Sequence, residues 1–432
     1  MSPLNLIIKK RDGRELMPDE IERIVSGFNR GLIPDYQMTA FLMAVYYRGL
    51  TPGELTAYTK ALVASGRTLN WNYLSGMVAD KHSSGGVGDK TTLVVAPLMA
   101  ASGIYMPKMS GRGLGFTGGT IDKLESIPGF NTELSLSKMQ SQVERIGLAV
   151  VSQTAELTPA DGRIYALRDV TATVDSIPLI AGSIMSKKIA GGASCIVLDV
   201  KVGSGAFMRS LTDAAALAET MVSLGQAFGR RVKALITDMD QPLGRAIGNS
   251  LEIEEAVSTL QGEGPDDLKE LALSLGTHLL CDAVNNDDAE AARSRLRHLL
   301  DSGDAYEKFL QMVEAQGGDP RSLEKGLEPA RFQREIRAGQ MGYLQKFDAL
   351  HIGRAAALLG SGRQRKGDTP DRSAGIYLHA QSGDKVEEGM PLMTLYTDRE
   401  ERIAAALEEV HRAVRIATDP VPPRPLIHDT VS

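Results

Sequence analysis

Residues 195–203 read CIVLDVKVG, a short and nearly continuous apolar run that ends at a glycine. Such a run predicts a buried β-strand, because a strand that is covered on both faces needs apolar side chains on both. Three more runs of this kind occur in the chain: IYMPKMS (104–110), LAVVSQ (148–153) and VKALITDM (232–239). Helical patterns alternate with them, as over residues 135–146 and 211–228. The alternation predicts an α/β domain with a central, mainly parallel sheet, whose binding loops follow the carboxyl ends of the strands.

Helical patterns also occur outside this alternation. Through the first 75 residues apolar positions recur every three to four residues, and glycine or proline marks the ends of the segments, which predicts a small helical domain. Residues 163–193 are helical again, and we expect them to join that domain. The large α/β domain then comprises residues 76–162 and 194–335.

The last part of the chain, residues 336–432, has a different pattern of apolar and polar residues. Apolar residues alternate around Gly-Asp and Glu-Gly turns in AGIYLHAQSGDKVEEGMPLMTLYTD (374–398). This pattern predicts a C-terminal α+β module that resembles a barrel-sandwich domain. No lysine stands in a clear carrier hairpin there, so we do not expect the module to carry biotin or a lipoyl group.

Composition excludes several classes of protein. The chain has 432 residues and a net charge of -6, which argues against a dedicated nucleic-acid binder because phosphate-backbone affinity needs a basic surface. Its two cysteines, Cys195 and Cys281, are too few for a disulfide framework or a thiolate zinc site, and fit a reducing cytoplasm. No apolar run approaches a membrane span, and we expect neither a signal peptide nor a membrane partner.

The segment KHSSGGVGDKTT (81–92) has the highest density of residues suited to binding a ligand. Its glycines let backbone N–H groups converge, its serines and threonines add hydroxyl donors, and Lys81 adds a positive charge, a combination that suits a phosphate oxyanion. The spacing is not that of a Walker loop, and a plain glycine-rich turn is the alternative. His82 lies inside the segment, either as a loop histidine that bonds a carbonyl or as a proton donor near neutral pH.

A second glycine-rich segment, SGRGLGFTGGTIDKLE (110–125), follows a predicted strand and opens a predicted helix at Thr120. Helix N-termini attract anions, so this loop could complete the phosphate site from the opposite side. The formal GxGxxG match within it is weak evidence for a dinucleotide, and a single small anion fits two donor-rich loops better. Arg112 is as consistent with an ordinary ion pair as with a site role.

A third cluster supplies cations on a helical segment: Tyr165, Arg168, Ser183, Lys187 and Lys188. In a helix Ser183 and Lys187 stand one turn apart on the same face, so both could reach one edge of a ligand. A planar base with carbonyl and imide groups needs such donors, especially if it leaves as an anion. Taken singly, Arg168 and Lys187 are also consistent with solvated surface charges.

These motifs, together with RDVTATVDSIPLIAGSIMSKK and MDQPLGRAIGN (239–249), closely resemble the thymidine and pyrimidine-nucleoside phosphorylases. The resemblance runs over nearly the whole chain. It implies a homodimer whose subunits bind inorganic phosphate and a pyrimidine nucleoside in a cleft between the helical and α/β domains. It also implies reversible phosphorolysis of thymidine, uridine and deoxyuridine to free base and pentose 1-phosphate, in nucleoside salvage.

The resemblance assigns residues to two ends of that cleft. The phosphate end would be formed by Lys81, Ser83, Thr92, Lys108, Ser110 and Thr120. The base end would be formed by Arg168, Ser183 and Lys187, with Tyr165, Leu114, Ile180 and Phe207 packed around the base. His82 would hydrogen-bond or protonate O2 of the base, so that His82, Arg168 and Lys187 are the expected catalytic groups.

No organic cofactor is implied, but the bacterial pyrimidine-nucleoside members bind a structural potassium ion. By motif it would use carbonyl oxygens of Gly88, Lys90, Leu243 and Ala246 and the carboxylate of Glu255. The chain departs from the family pattern at Lys90, where a small residue such as Thr or Val is common. If only the Lys90 carbonyl is needed the ion can bind, and if a hydroxyl is needed it cannot. A second departure is Phe116, where the family usually has His.

Two alternatives remain open from the sequence. A phosphoribosyltransferase of the anthranilate type resembles this family in fold and in its glycine-rich anion loop, but it needs carboxylates placed for magnesium, and no convincing acidic pair lies beside the loops. A catalytically silent dimer that binds nucleoside, phosphate or a protein is the other alternative. The co-occurrence of Lys81, Ser110, Arg168, Ser183 and Lys187 argues against it.

Overall fold

A computed structural model describes residues 2–113, 115–116, 118–363, 368–422 and 424–432. Its helices are α1 (Pro3–Arg11), α2 (Pro18–Asn29), α3 (Asp35–Arg48), α4 (Pro52–Ala64), α5 (Thr91–Ala101), α6 (Thr120–Leu124), α7 (Leu136–Ile146), α8 (Pro159–Asp169), α9 (Ile177–Ala190), α10 (Leu211–Ala227), α11 (Asn249–Leu260), α12 (Asp266–Val284), α13 (Ala289–Asp301), α14 (Asp304–Ala315), α15 (Arg321–Glu324), α16 (Ala349–Leu359) and α17 (Arg402–Ala413). Its strands are β1 (Ala79–Ser83), β2 (Met106–Ser110), β3 (Leu148–Ser152), β4 (Cys195–Val202), β5 (Arg231–Asp238), β6 (Ala246–Gly248), β7 (Phe332–Arg337), β8 (Gly342–Phe347), β9 (Gly375–Leu378), β10 (Lys385–Val386), β11 (Pro391–Thr397), β12 (Val414–Ala417) and β13 (Ile427–Val431).

The N-terminal helices begin where their sequence favours a helix start. α4 has proline in its first turn and a capping box, in which the Thr51 hydroxyl accepts from the Glu54 N–H and the Glu54 carboxylate accepts from the Thr51 N–H. The same carboxylate forms a buried ion pair of 2.6 Å with Lys10 of α1. One glutamate thus caps the start of α4 and also ties α4 to α1.

The helical stretch predicted at 163–193 is observed as α8 and α9, which pack against α2 and α4. These helices share one apolar core with β4, β5 and α10. The later helical segment therefore packs against the N-terminal helices, and its assignment to the same domain stays a prediction. Since the core continues from the helices onto one face of the sheet, the exact domain limits stay predictions.

The central sheet is mainly parallel. β1, β4 and β5 are parallel neighbours, and β13 adds an antiparallel edge. β2 and β3 form a parallel pair, and a bridge between Val78 and Tyr105 joins that pair to the start of β1. The parallel strands therefore follow the order 3-2-1-4-5, which reverses direction between β1 and β4. Ligand sites of open α/β sheets lie at such switch points, outside the carboxyl ends of the strands.

The four apolar strands predicted from the sequence are confirmed as β2, β3, β4 and β5. β1, with the sequence ADKHS, was not predicted because its side chains are mostly charged or polar. Its charges are compensated inside the protein instead: Asp80 lies 2.8 Å from the ammonium of Lys188, and Lys81 lies 3.5 Å from the carboxylate of Asp199. Charge pairing with distant segments places this strand in the sheet.

The C-terminal module contains the predicted antiparallel strands. One sheet has the order β6-β9-β11-β7 and another the order β10-β8-β12, with α16 and α17 packed together beside them. β6 comes from the preceding domain, so this module shares a sheet with the α/β domain. No helix in the described ranges is long and apolar enough to cross a membrane.

Candidate active site

A cavity of about 480 Å³ lies between the loops that follow β1 and β2 and the helices α8 and α9. The residues assigned to phosphate and base from the sequence converge on it, with two exceptions. Lys81 does not line the cavity, and Leu114 lies outside the described residues. The lining includes His82, Ser83, Thr92, Lys108, Ser110, Thr120, Tyr165, Arg168, Ile180, Ser183, Lys187 and Phe207.

Hydroxyl and ammonium donors gather at the sheet end of the cavity. Ser83 ends β1, Ser110 ends β2, Thr92 lies in the first turn of α5, and Thr120 begins the short helix α6. Lys108 of β2 adds a cationic group to the same wall. Several hydroxyls beside an amine suit a tetrahedral oxyanion, whose oxygens each accept more than one hydrogen bond.

Lys81 lies behind this wall rather than in it. Its ammonium donates to the hydroxyl of Thr91 and lies 3.5 Å from Asp199 and 4.0 Å from Asp89. Its side chain is 1% exposed. Lys81 therefore supports the loop between β1 and α5 from below, and direct contact with phosphate stays a prediction for this residue.

Lys108 and Lys188 share one carboxylate, that of Asp80, at 3.4 and 2.8 Å. Burial lowers the pKa of Lys108 well below its ordinary value, and the neighbouring Lys188 and Lys81 act in the same direction, while Asp80 opposes them. The amine of Lys108 is consequently easy to deprotonate while no anion is bound. A phosphate dianion beside it would favour the ammonium form.

This arrangement predicts the pH dependence of phosphate use. The charged form of Lys108 binds the anion and exists below its depressed pKa, so kcat/KM for phosphate should fall as pH rises through that value, at a lower pH than for an ordinary lysine. Steady-state kinetics across pH on the wild type and Lys108→Met would measure this. We expect the variant to lose the decline, and parallel profiles for the two proteins would contradict the assignment.

His82 is surrounded by the same positive charges. Burial lowers its pKa well below the ordinary value, and Lys188, Lys108, Lys81 and Lys187 lower it further. The imidazole is therefore neutral in the ligand-free protein at neutral pH. Of the two roles expected from the sequence, this electrostatic environment favours a hydrogen bond over full proton donation.

At the opposite end of the cavity, Arg168 is held by the backbone. Its guanidinium donates to the carbonyl oxygens of Leu179 at 3.0 Å, Thr173 at 3.1 Å and Val174 at 2.6 Å, and its residue is 1% exposed. Arg168 is therefore not a solvated surface charge. Burial lowers its pKa from the ordinary value, yet a guanidinium remains charged at neutral pH.

Lys187 stands beside Ser183, as expected for positions one helical turn apart, with 3.2 Å between the amine and the hydroxyl. Its ammonium also lies 2.7 Å from the carboxylate of Asp161, whose side chain is 1% exposed. Asp161 was not among the residues predicted from the sequence, because it stands 26 residues from Lys187 in another helix and no local motif marks the pair. The ion pair holds the Lys187 amine in the cavity wall.

Apolar groups complete this end. Tyr165 and Ile180 lie in the wall, and the Arg168 guanidinium stands 5.8 Å from the centre of the Tyr165 ring. Phe207 is 43% exposed at the mouth. The cavity thus combines a planar guanidinium, an ammonium group and flat apolar surface at one end with hydroxyl donors at the other.

Comparison with known proteins agrees with this architecture. The chain matches, in order, the profiles of the glycosyl transferase family helical bundle domain (residues 4–66), the glycosyl transferase family a/b domain (75–306) and the pyrimidine nucleoside phosphorylase C-terminal domain (343–417). It is 48% identical over 434 residues to the pyrimidine-nucleoside phosphorylases of Geobacillus stearothermophilus and Bacillus subtilis (strain 168), with 100% of both chains covered in each case. The chain belongs to the pyrimidine-nucleoside phosphorylase family.

Membership of the pyrimidine-nucleoside phosphorylase family confirms the resemblance inferred from the glycine-rich motifs. Among solved structures, the anthranilate phosphoribosyltransferase of Thermus thermophilus is similar, with a TM-score of 0.60 and 18% sequence identity. The match covers 72% of this chain and 99% of that one. At this identity the similarity concerns the fold alone.

The cation site expected from the pyrimidine-nucleoside phosphorylase family is built differently in this member. The amine of Lys90 lies 2.9 Å from the Leu243 carbonyl, 2.8 Å from the Ala246 carbonyl and 2.6 Å from the Glu255 carboxylate. Gly88 lies against the same carbonyls, since a Cβ built on it would stand 2.6 Å from the Leu243 oxygen. Three of the oxygens expected to hold potassium therefore accept hydrogen bonds from a lysine, and the residues present do not fit the ion.

Lys90 is protonated, and therefore positively charged, in this position. Burial acts to lower its pKa, but the carboxylates of Glu255 and Glu252 outweigh burial and raise that pKa above its ordinary value. Phe116, the other departure from the pyrimidine-nucleoside phosphorylase pattern, does not line the cavity. It is half-buried and packs against the apolar core that contains Val87 and Ala356, the latter in α16. Phe116 thus contributes to contact with the C-terminal module.

Proposed function

We propose that this enzyme catalyses the reversible phosphorolysis of pyrimidine ribonucleosides and deoxyribonucleosides, including thymidine, uridine and deoxyuridine, to free base and pentose 1-phosphate. The observation that carries the proposal is that one cavity holds hydrogen-bond donors for an oxyanion at one end and donors for a pyrimidine base at the other. The curated relatives, named pyrimidine-nucleoside phosphorylases over their full length, support the same activity. We assign the enzyme to nucleoside salvage.

In the proposed reaction a phosphate oxygen attacks C1′ of the pentose. The new C1′–O bond forms as the glycosidic C1′–N bond breaks, and its electron pair leaves with the base. Phosphate supplies the nucleophile, so the protein needs no covalent intermediate. Ser83, Thr92, Lys108, Ser110 and Thr120 would hold phosphate behind C1′, and this alignment is the first contribution to the rate.

Stabilisation of the departing base is the second contribution. Negative charge develops on the carbonyl and ring nitrogen atoms of the pyrimidine, where Arg168 and Lys187 would oppose it, with Ser183 as a further donor. A neutral His82 would donate a hydrogen bond to O2, and the proton that the base finally needs can come from solvent after release. The cations are preorganised by Asp161 and by backbone carbonyls before substrate binds.

The test is base release, followed by ultraviolet absorbance, from thymidine, deoxyuridine, uridine and cytidine with and without inorganic phosphate. We expect phosphate-dependent release from thymidine, deoxyuridine and uridine. Release from deoxynucleosides only would narrow the activity to thymidine phosphorolysis. Absence of any release would overturn the proposal; nucleoside binding without turnover would then indicate a silent binder, and turnover of a pyrophosphorylated ribose with magnesium a transferase.

We further infer that the enzyme acts in the cytoplasm as a homodimer formed through its helical domain. The two cysteines are free and buried, which suits a reducing compartment. Large apolar side chains are exposed on the helical domain, among them Leu32, Tyr36 and Tyr47, at 69, 74 and 77%. Large apolar residues that are exposed on one domain favour an interface there. Light scattering on the purified chain measures its mass in solution. We expect the mass of two copies, and the mass of one copy would contradict the homodimer.

A further inference from the structure

The amine of Lys90 sits at the centre of a closed set of oxygens. An ammonium group has three N–H donors, and here each has one acceptor: the carbonyls of Leu243 and Ala246 and the carboxylate of Glu255, all within 2.9 Å. The side chains of Lys90 and Glu255 are 0 and 6% exposed. No donor of the lysine is left over, and the carboxylate that the ammonium contacts directly is that of Glu255.

This oxygen set would be unstable without a cation. Two carbonyl dipoles and a carboxylate point at one buried spot, and oxygens that converge without a donor repel each other and lose their solvation. The backbone N–H groups of Arg245 and Ala246 donate to the other oxygen of Glu255, and that of Arg245 also lies 3.2 Å from the oxygen that Lys90 contacts, but neither N–H group carries a full positive charge. A positive group at that spot therefore stabilises the folded protein.

We propose that the Lys90 ammonium is a built-in replacement for a bound monovalent cation, so that this enzyme neither binds nor needs potassium at the site formed by Leu243, Ala246 and Glu255. The lysine supplies the same charge to the same oxygens. Being part of the chain, it is present at any salt composition, and it occupies the volume that a separate ion would need.

The position of Lys90 explains what the cation is for. Lys90 ends the glycine-rich loop after β1 and is the residue that immediately precedes α5, which carries Thr92 into the cavity wall. Its three acceptors belong to the segment around β6 and to α11, and β6 is an edge strand of the C-terminal sheet. The lysine therefore ties the phosphate-side loop to the C-terminal module, and it acts as a positioning residue rather than a catalytic one.

The proposal is tested by thermal unfolding in a potassium chloride titration, with ionic strength held constant by tetramethylammonium chloride, whose cation is too large for the site. We expect the apparent Tm of the wild type not to depend on potassium. Lys90→Thr, which restores the small residue common in the family, should unfold at a lower temperature without potassium. Its Tm should then rise saturably by at least about 2 °C as potassium fills the vacated oxygens.

Lys123→Thr is the matched control. Lys123 is also a fully buried lysine of this region, paired at 2.6 Å with Glu252 and bonded to the Asp89 carbonyl, but it does not reach the Leu243 and Ala246 carbonyls. Its loss should lower Tm without creating a response to potassium. The same pattern should appear in kinetics, where the KM for phosphate depends on potassium in Lys90→Thr alone.

Either of two results would overturn the proposal: a saturable, potassium-specific rise in the Tm of the wild type, or a folded Lys90→Thr variant whose Tm ignores potassium. The first of these results needs only the wild-type titration and no variant. Should Lys90→Thr not accumulate as folded protein, Lys90→Ala purified throughout in potassium buffer takes its place, and removal of potassium by dialysis should then lower its Tm. Because both of these results are read from unfolding, they do not depend on the proposed reaction, unlike the KM for phosphate.

Discussion

Replacing Lys187 by glutamine should lower kcat/KM for thymidine by about 10²–10³-fold, the loss typical of one preorganised donor to a developing anion. The amine of Lys187 lies in the cavity wall beside the Ser183 hydroxyl, where the proposed base becomes negative. Glutamine keeps much of the length and a donor but removes the charge. Initial rates of base release at saturating phosphate would measure the effect, while the KM for phosphate should change little.

The same substitution has a structural cost that must be separated from the catalytic one. Asp161 is buried and would lose its partner at 2.7 Å, and a buried carboxylate left without its cation destabilises the fold. In the double variant Lys187→Gln/Asp161→Asn the unpaired charge is gone, so Tm should recover while kcat/KM stays low. Recovery of kcat/KM together with Tm would show that Lys187 acts through stability alone.

The position of Lys187 beside Ser183 also illustrates what the sequence could predict. Periodicity placed Ser183 and Lys187 on one helix face, and the structure brings them within 3.2 Å. Apolar runs located β2 to β5, and the glycine-rich motifs located both loops of the cavity. These features are local, since each is encoded by a few consecutive residues and depends little on the rest of the chain.

The features that the sequence could not supply depend on partners far along the chain. β1 is polar, and its place inside the sheet depends on pairs such as Asp80 with Lys188, 108 residues apart. Arg168 was also consistent with a surface charge, since the carbonyls that accept its hydrogen bonds come from the turn before α9 and from α9 itself, and the sequence does not show how these segments lie around it. For Lys90 the motif placed the residue at the right site, but only the structure shows that its amine, rather than its carbonyl, meets the oxygens of Leu243 and Ala246.

Gly119→Ala should abolish most phosphate-dependent turnover. A Cβ at this position would stand 2.1 Å from the backbone nitrogen of Gly113 and 2.3 Å from the carbonyl carbon of Arg112, and backbone atoms cannot move aside as a flexible side chain can. The loop between Ser110 and Thr120 would have to open, and both flanking residues line the phosphate end of the cavity. A displacement of about 1 Å at such a site lowers the rate by about 10²-fold.

Gly339→Ala provides the control, because this exposed glycine has no atom within 4 Å of a built Cβ and lies in the C-terminal module. It should keep wild-type kinetics. In Gly119→Ala the loss should appear in kcat/KM for phosphate, whereas nucleoside affinity measured by calorimetry should persist, because Arg168 and Lys187 are fixed by α8 and α9 rather than by this loop. Equal losses of phosphate and nucleoside binding would instead mean that the two ends of the cavity are not built independently, and unchanged phosphate kinetics would remove the loop from the anion site.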